Sequence, residues 1–176
     1  MGKVVYSKTF TKDDAMDLGA ALIATADLYP LTFVTERDFF PLVVKYLRGR
    51  VPTLRAEARI TAKGRIAFRL GGNNPTWLEL AVQARAYADK NHPKLKMPGY
   101  QRNSLLASQN RAELRKLMTE PKGKTRFLLL VDLNGQYDLS GLEADYRDEA
   151  NKNIGGKTVR IVYTSRRRTL NFCASG

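Results

Sequence analysis

The sequence predicts an α/β domain, a mixed β-sheet flanked by helices, and three observations carry that prediction. The chain opens on apolar residues at helical spacing. A block of strictly alternating residues follows between Leu54 and Gln83. One unbroken apolar run, Phe127 to Val131, then sits between two further helical segments. Alternation marks a strand with one buried side, and an unbroken run marks a strand covered on both faces.

Thr11 to Leu28 reads as a helix: Thr11 caps it, Asp13 and Asp14 suit its positive end, and Ala15, Leu18, Leu22 and Ala26 share one face. A second helix, Glu36 to Arg48, turns Phe39, Phe40, Val43, Val44 and Leu47 inward, with Thr35 as cap and Gly49 as stop. Leu54 to Ala62 alternates as a strand, with Leu54, Ala56, Ala58, Ile60 and Ala62 on one face. Lys63-Gly64 turns it into a second strand, Arg65 to Leu70, making a hairpin. Gly71 to Pro75 is a loop, and Thr76 to Gln83 is the third strand. Ala84 to Asn103 has no clean period and reads as a long basic excursion, a kind of loop that is usually functional or disordered. A helix over Ser104 to Thr119, the buried strand Arg126 to Leu133 and a helix over Leu139 to Asn151 come next. Strands Thr158 to Thr164 and Thr169 to Cys173 flank a basic turn and close the chain. The reading is a single domain over 1–176. Its core spans about 36–133, with an N-terminal helix at 11–28 and a C-terminal helix and hairpin at 139–173.

Thirty Lys plus Arg against seventeen Asp plus Glu leave a net charge of +13, and the pI is near 10.0. Such a charge on a folded chain points to a polyanionic partner, DNA or RNA first. No apolar run approaches the ~20 residues of a membrane span, and no basic segment with an apolar stretch follows Met1. The expectation is a cytoplasmic protein with neither secretory leader nor membrane partner. One cysteine and one histidine argue against a disulfide framework and a structural zinc site. A homodimer, or docking on a larger assembly through the Arg-rich hairpin, is the expectation for protein partners.

Alternation also says which side chains share a surface. Ile66, Phe68 and Leu70 point one way and Arg65, Ala67 and Arg69 the other. Trp77, Glu79, Ala81 and Gln83 lie opposite Leu78, Leu80 and Val82. With the three strands as neighbours, Glu57, Ala67, Glu79, Ala81 and Gln83 converge on one surface bordered by arginines. The plainer alternative makes Glu57 and Glu79 ordinary surface carboxylates paired with Arg59 or Arg69.

Helix, three-stranded meander, helix, strand: this order, from about Glu36 to Leu133, resembles the core of the PD-(D/E)XK nuclease superfamily, the restriction-endonuclease-like αβββαβ core. The resemblance implies a metal site built from a second-strand Asp, a third-strand Glu and a Lys two positions on, often with a Glu from the first helix. Here the third-strand Glu is Glu79, the Asp position holds Ala67, the Lys position holds Ala81, and Glu36 is the helical Glu. Gln83 is the candidate for part of the Lys role, and Glu57 for the missing second ligand. The implied catalytic set is Glu79, Glu57, Gln83 and the Ala67 position, with Mg²⁺ (or Mn²⁺) on Glu79, Glu57 and Glu36. A hard divalent cation favours carboxylate oxygens and activates water for phosphodiester hydrolysis. Two of three central positions depart from the pattern. The implied function is therefore a metal-dependent endonuclease or an inactive relative, and the alternative is a non-catalytic basic nucleic-acid-binding module.

Phosphate-contact candidates are Arg65, Arg69, Arg85, Lys94, Lys96, Arg111, Arg115, Arg166, Arg167 and Arg168. Arg111 and Arg115 share one helical face, where ion pairs with neighbouring acids are the alternative. Trp77, Tyr87 and Tyr100 are candidates for base stacking or for simple packing. His92 reads as a solvated loop residue, Cys173 as a small buried one, and Asp132 as a turn or functional group at the end of the buried strand.

Overall fold

The computed structural model describes residues 9–29, 32, 36–51, 53–59, 64–83, 105–120, 122–135, 137–153 and 156–176. Helix α1 runs Lys12–Leu28 and opens on a capping box: the Asp14 amide donates to Thr11 Oγ1, and the Thr11 amide donates to Asp14 Oδ2 at 2.8 Å. A 3₁₀ turn, Glu36–Phe39, leads into α2, Phe40–Arg48. The sequence predicts one continuous helix from Glu36. The α-helix starts later, with Pro41 in its first turn, where a residue without an N–H costs nothing. Strands β1 (Leu54–Arg59), β2 (Arg65–Leu70) and β3 (Thr76–Gln83) come next, then α3 (Arg111–Thr119), β4 (Thr125–Asp132), α4 (Leu142–Asn151), β5 (Val159–Ser165) and β6 (Thr169–Ala174).

Six strands form one mixed sheet in the order β1-β2-β3-β4-β5-β6. β1, β2 and β3 are antiparallel, β3, β4 and β5 are parallel, and β6 returns antiparallel on β5. α1 and α2 cover one face, where Leu18, Leu22, Phe39 and Val43 pack on Phe68, Leu78, Leu80 and Leu129. α3 and α4 cover the other, where Leu114, Leu117 and Tyr146 pack on Ile66, Trp77, Leu128 and Ile161. The apolar run of β4 is buried throughout because its side chains feed both cores in turn. α1 lies so close to β5 that a Cβ at Gly19 would run into Thr164 Cγ2.

Two helices start later than their periodicity suggests. Residues 105–110 are turns before α3, tied down by Tyr146, whose hydroxyl donates to the Leu105 carbonyl at 2.9 Å and receives a hydrogen bond from Asn110 Nδ2 at 3.0 Å. Before α4, Asp138 holds the Ser140 amide at 2.9 Å in a turn. Residues 60–63 and 84–104, with Arg85, Lys94, Lys96, His92, Tyr87 and Tyr100, lie outside the described residues, as does the Thr35 cap.

The alternation expected across β1 and β2 fails at one place. Glu57 has φ +48, a left-handed backbone that resets the pleat. Leu54 and Ala56 therefore lie on the α2 side, while Ala58 joins Ile66 in the core beneath α3 and α4. Ile66 does not share a face with Phe68 and Leu70, which pack on the α1 side.

Candidate functional site

β2 and β3 pair antiparallel from Leu70↔Thr76 to Phe68↔Leu78. Beyond that pair the Ala67 backbone amide reaches the Glu79 carboxyl, while the Ala67 side chain packs in the core on the α1 and α2 side. Glu79 is buried, on the face covered by α3. Its partner is Lys116 from that helix, whose Nζ lies 2.9 Å from Glu79 Oε1, 2.9 Å from the Arg65 carbonyl oxygen and 3.7 Å from Glu113 Oε1. Lys116 thus touches both strands just past their last paired residues. Oε1 receives no hydrogen in good hydrogen-bond geometry, so the contact is an ion pair held by charge. Burial pushes the Glu79 pKa up, and Lys116 together with the Ala67 amide pulls it back.

Glu36 belongs to the same electrostatic system. As a residue it is exposed, yet its carboxyl has a protein-dense neighbourhood, and its pKa is pushed up to about 7. Desolvation is the main cause; the charges of Glu79 and Glu113 add to it, and Lys116 and Arg37 oppose it. Glu36 and Glu79 thus share one electrostatic field with Glu113 and Lys116, which the sequence reading missed, whereas the Ala67 side chain packs in the core on the α1 and α2 side rather than on the surface with Glu79 that alternation predicts. The available signal was the Glu113–Lys116 spacing of three on α3, which sets both on one helical face.

Glu57 does not join them. Its strained backbone carries it to the surface, where Arg65 Nη1 donates to Glu57 Oε2 at 3.2 Å. Gln83 is also wrongly placed for the lysine role: it is buried four residues along β3 from Glu79, about 13 Å at the strand rise. Ala81 faces the core under α3 and α4.

A Mg²⁺ ion does not fit this donor set. It demands near-octahedral oxygen ligation, whereas the Ala67 position supplies no carboxylate and an ammonium group already neutralises Glu79. Among the described residues, no group of three or more acidic, His or Cys side chains is placed to hold a metal.

The arginines divide into two sets. Arg65 pairs with Glu57. Arg69 donates to the Gly71 and Gly72 carbonyls and lies over the Trp77 ring, which fixes the loop after β2 as a plain connection. Arg111 Nε pairs with the buried Glu149 at 2.7 Å, so the ion-pair alternative describes it. Arg166 makes a two-point contact with Asp27 at the end of α1. Arg115, Arg167 and Arg168 are exposed and have no ion pair among the described residues. Trp77 is unavailable for base stacking, since it is buried and its Nε1 donates to the Lys122 carbonyl at 2.6 Å. Cys173 is half-buried, because the outer edge of β6 is uncovered there.

Asp132, at the end of β4, has the turn role. Its Oδ1 accepts from the Asn134 and Gly135 amides, both at 2.9 Å. Its Oδ2 accepts from the Tyr137 amide at 3.1 Å and the Tyr163 hydroxyl at 2.8 Å. No helix among the described residues is long and apolar enough to cross a membrane. No protein-family model and no curated protein matches the chain.

Proposed function

We propose that the chain is a nucleic-acid-binding protein on a PD-(D/E)XK nuclease-like core, in which an internal lysine stands where the metal's charge would be needed. The αβββαβ order over 36–133, with helices on both faces of the sheet, supports the core assignment. The observation that carries the functional reading is the Lys116–Glu79 ion pair at 2.9 Å. A lysine within contact of a buried carboxylate removes the negative charge that attracts a divalent cation. What the chain retains is its charge of +13, which favours phosphate contact in a reducing, cytoplasmic setting.

Fluorescence anisotropy with 20-nucleotide single-stranded and duplex probes tests this. Affinity is expected to fall steeply with salt and to be the same in EDTA and in Mg²⁺. It is also expected to survive Glu79→Gln. Metal-dependent cleavage of plasmid or oligonucleotide that disappears in Glu79→Ala would instead establish the endonuclease reading, which the grouping of Glu36 with Glu79 favours.

A further inference from the structure

We infer that the cavity between the loop after β4 and the β5–β6 turn is a binding site for a nucleoside monophosphate group, free or at the phosphorylated end of a strand. This deepens the nucleic-acid reading above and rests on it for its biological meaning, but it is testable by itself. The cavity has a volume of about 560 Å³, within the roughly 300–1,000 Å³ common for small-molecule sites. It opens at the C-terminal ends of the parallel strands β4 and β5, the end of an α/β sheet outside which ligands commonly bind.

Its two walls differ in chemistry. The wall from the turn after β5 carries Arg167 and Arg168. Arg166 is committed to Asp27 on α1, and Ser165 Oγ accepts the amides of Arg167 and Arg168 at 3.3 and 3.1 Å. The turn is thereby fixed at both its side-chain anchor and its backbone. The next two guanidinium groups have no ion pair among the described residues and border the cavity. Two adjacent guanidinium groups on a rigid turn suit a phosphate dianion.

The opposite wall carries Tyr137 and Asp138. Tyr137 is held by its amide's bond to Asp132 and by its ring's contact with Tyr163 at 6.4 Å between centroids. Asp138 accepts from the Ser140 amide and hydroxyl, which hold its pKa below the usual carboxylate range and keep it an acceptor. A ligand spanning the cavity therefore needs an anionic end for the arginines, a flat face for the tyrosine, and a donor such as a sugar hydroxyl or base amine for Asp138. A nucleotide has all three; inorganic phosphate has only the first, and a phosphoserine side chain lacks the flat face.

Isothermal titration of the full chain with dAMP, deoxyadenosine, inorganic phosphate and a phosphoserine peptide tests the site. The same titration with a single-stranded decamer bearing a 5′-phosphate, a 3′-phosphate or neither distinguishes free nucleotide from strand end. At least tenfold tighter binding of dAMP than of deoxyadenosine, phosphate or peptide is expected. Arg167→Ala/Arg168→Ala, at exposed positions whose loss leaves the fold intact by circular dichroism, should abolish that preference. Tyr137→Ala should weaken dAMP more than phosphate. Equal binding of dAMP by the wild type and the double arginine variant, or equal binding of the peptide and dAMP, would overturn the inference. General nucleic-acid binding that persists alongside either result would leave the broader reading standing. Loss of salt-dependent binding to the 20-nucleotide probes with dAMP binding retained would overturn the broader reading alone.

Discussion

Glu79 and Asp132 are both buried carboxylates on the face of the sheet under α3 and α4, on adjacent parallel strands, yet they are satisfied in different ways. Asp132 accepts four hydrogen bonds, three from backbone amides of the chain just after it and one from Tyr163. Glu79 is balanced chiefly by one long-stemmed cation from helix α3 and shares its field with Glu36 and Glu113. The difference separates a carboxylate that builds a turn from one in a coupled charge cluster. Local amides cannot be lost without unfolding the loop, whereas a lysine can be replaced, protonation can shift, and neighbouring acids respond.

The largest effect in breaking this contrast is expected at Asp132. Asp132→Ala leaves four donors without their acceptor and should cost about 4 kcal/mol in urea unfolding; Asp132→Asn, which keeps some of the acceptor capacity, should cost about half of that. Lys116→Ala comes next, at about 3 kcal/mol, because it leaves Glu79 buried and uncompensated. Combining it with Glu79→Leu should recover most of the loss, and a purely additive double variant would show that the pair does not act as a unit.

A smaller effect comes from pH. Glu36 titrates near an ordinary 4.5 in the unfolded chain and at about 7 in the folded one. Between those values the folded state holds more protons, so this group's contribution to stability is fully present below about 4.5 and is lost as pH rises through about 7. Burial shifts Glu79 in the same direction. Discounted for the exposure of Glu36, unfolding measured at pH 5.5 and 7.5 should differ by about 1 kcal/mol in favour of the lower pH. Glu36→Gln should flatten that slope. The smallest effect belongs to Arg166→Ala, which removes a surface pair and should cost under about 1 kcal/mol. Its sharper signature is weaker dAMP binding, since the turn carrying Arg167 and Arg168 loses its anchor on α1.

Element order and the burial of β4 were legible in the sequence because they depend on periodicity and on a run too apolar for any exposed position. Strand faces were legible only while the pleat stayed regular. Nothing in Arg55-Ala56-Glu57-Ala58 signals a left-handed residue at Glu57, and that single dihedral moved Ala58 to the other core. The site was half visible. Alternation places Glu79 on the face beneath α3 but misplaces Ala67, which packs in the other core, and Lys116 arrives from a helix more than thirty residues further along, a contact set by packing. The four donors around Asp132 were anticipated only as a turn, since its last partner, Tyr163, comes from the neighbouring parallel strand.

Every strand in this sheet lies beside its predecessor in the chain. A polypeptide emerging N-terminus first can therefore add each strand to an edge already formed, with no earlier pair reopened to admit a later one. The hairpin-type joins close short loops, whereas the two parallel joins, β3 to β4 and β4 to β5, close long ones and are the slower steps. β6 follows β5 in the chain and pairs with it alone among the described strands, so the turn carrying Arg167 and Arg168 takes shape only once those two strands are joined.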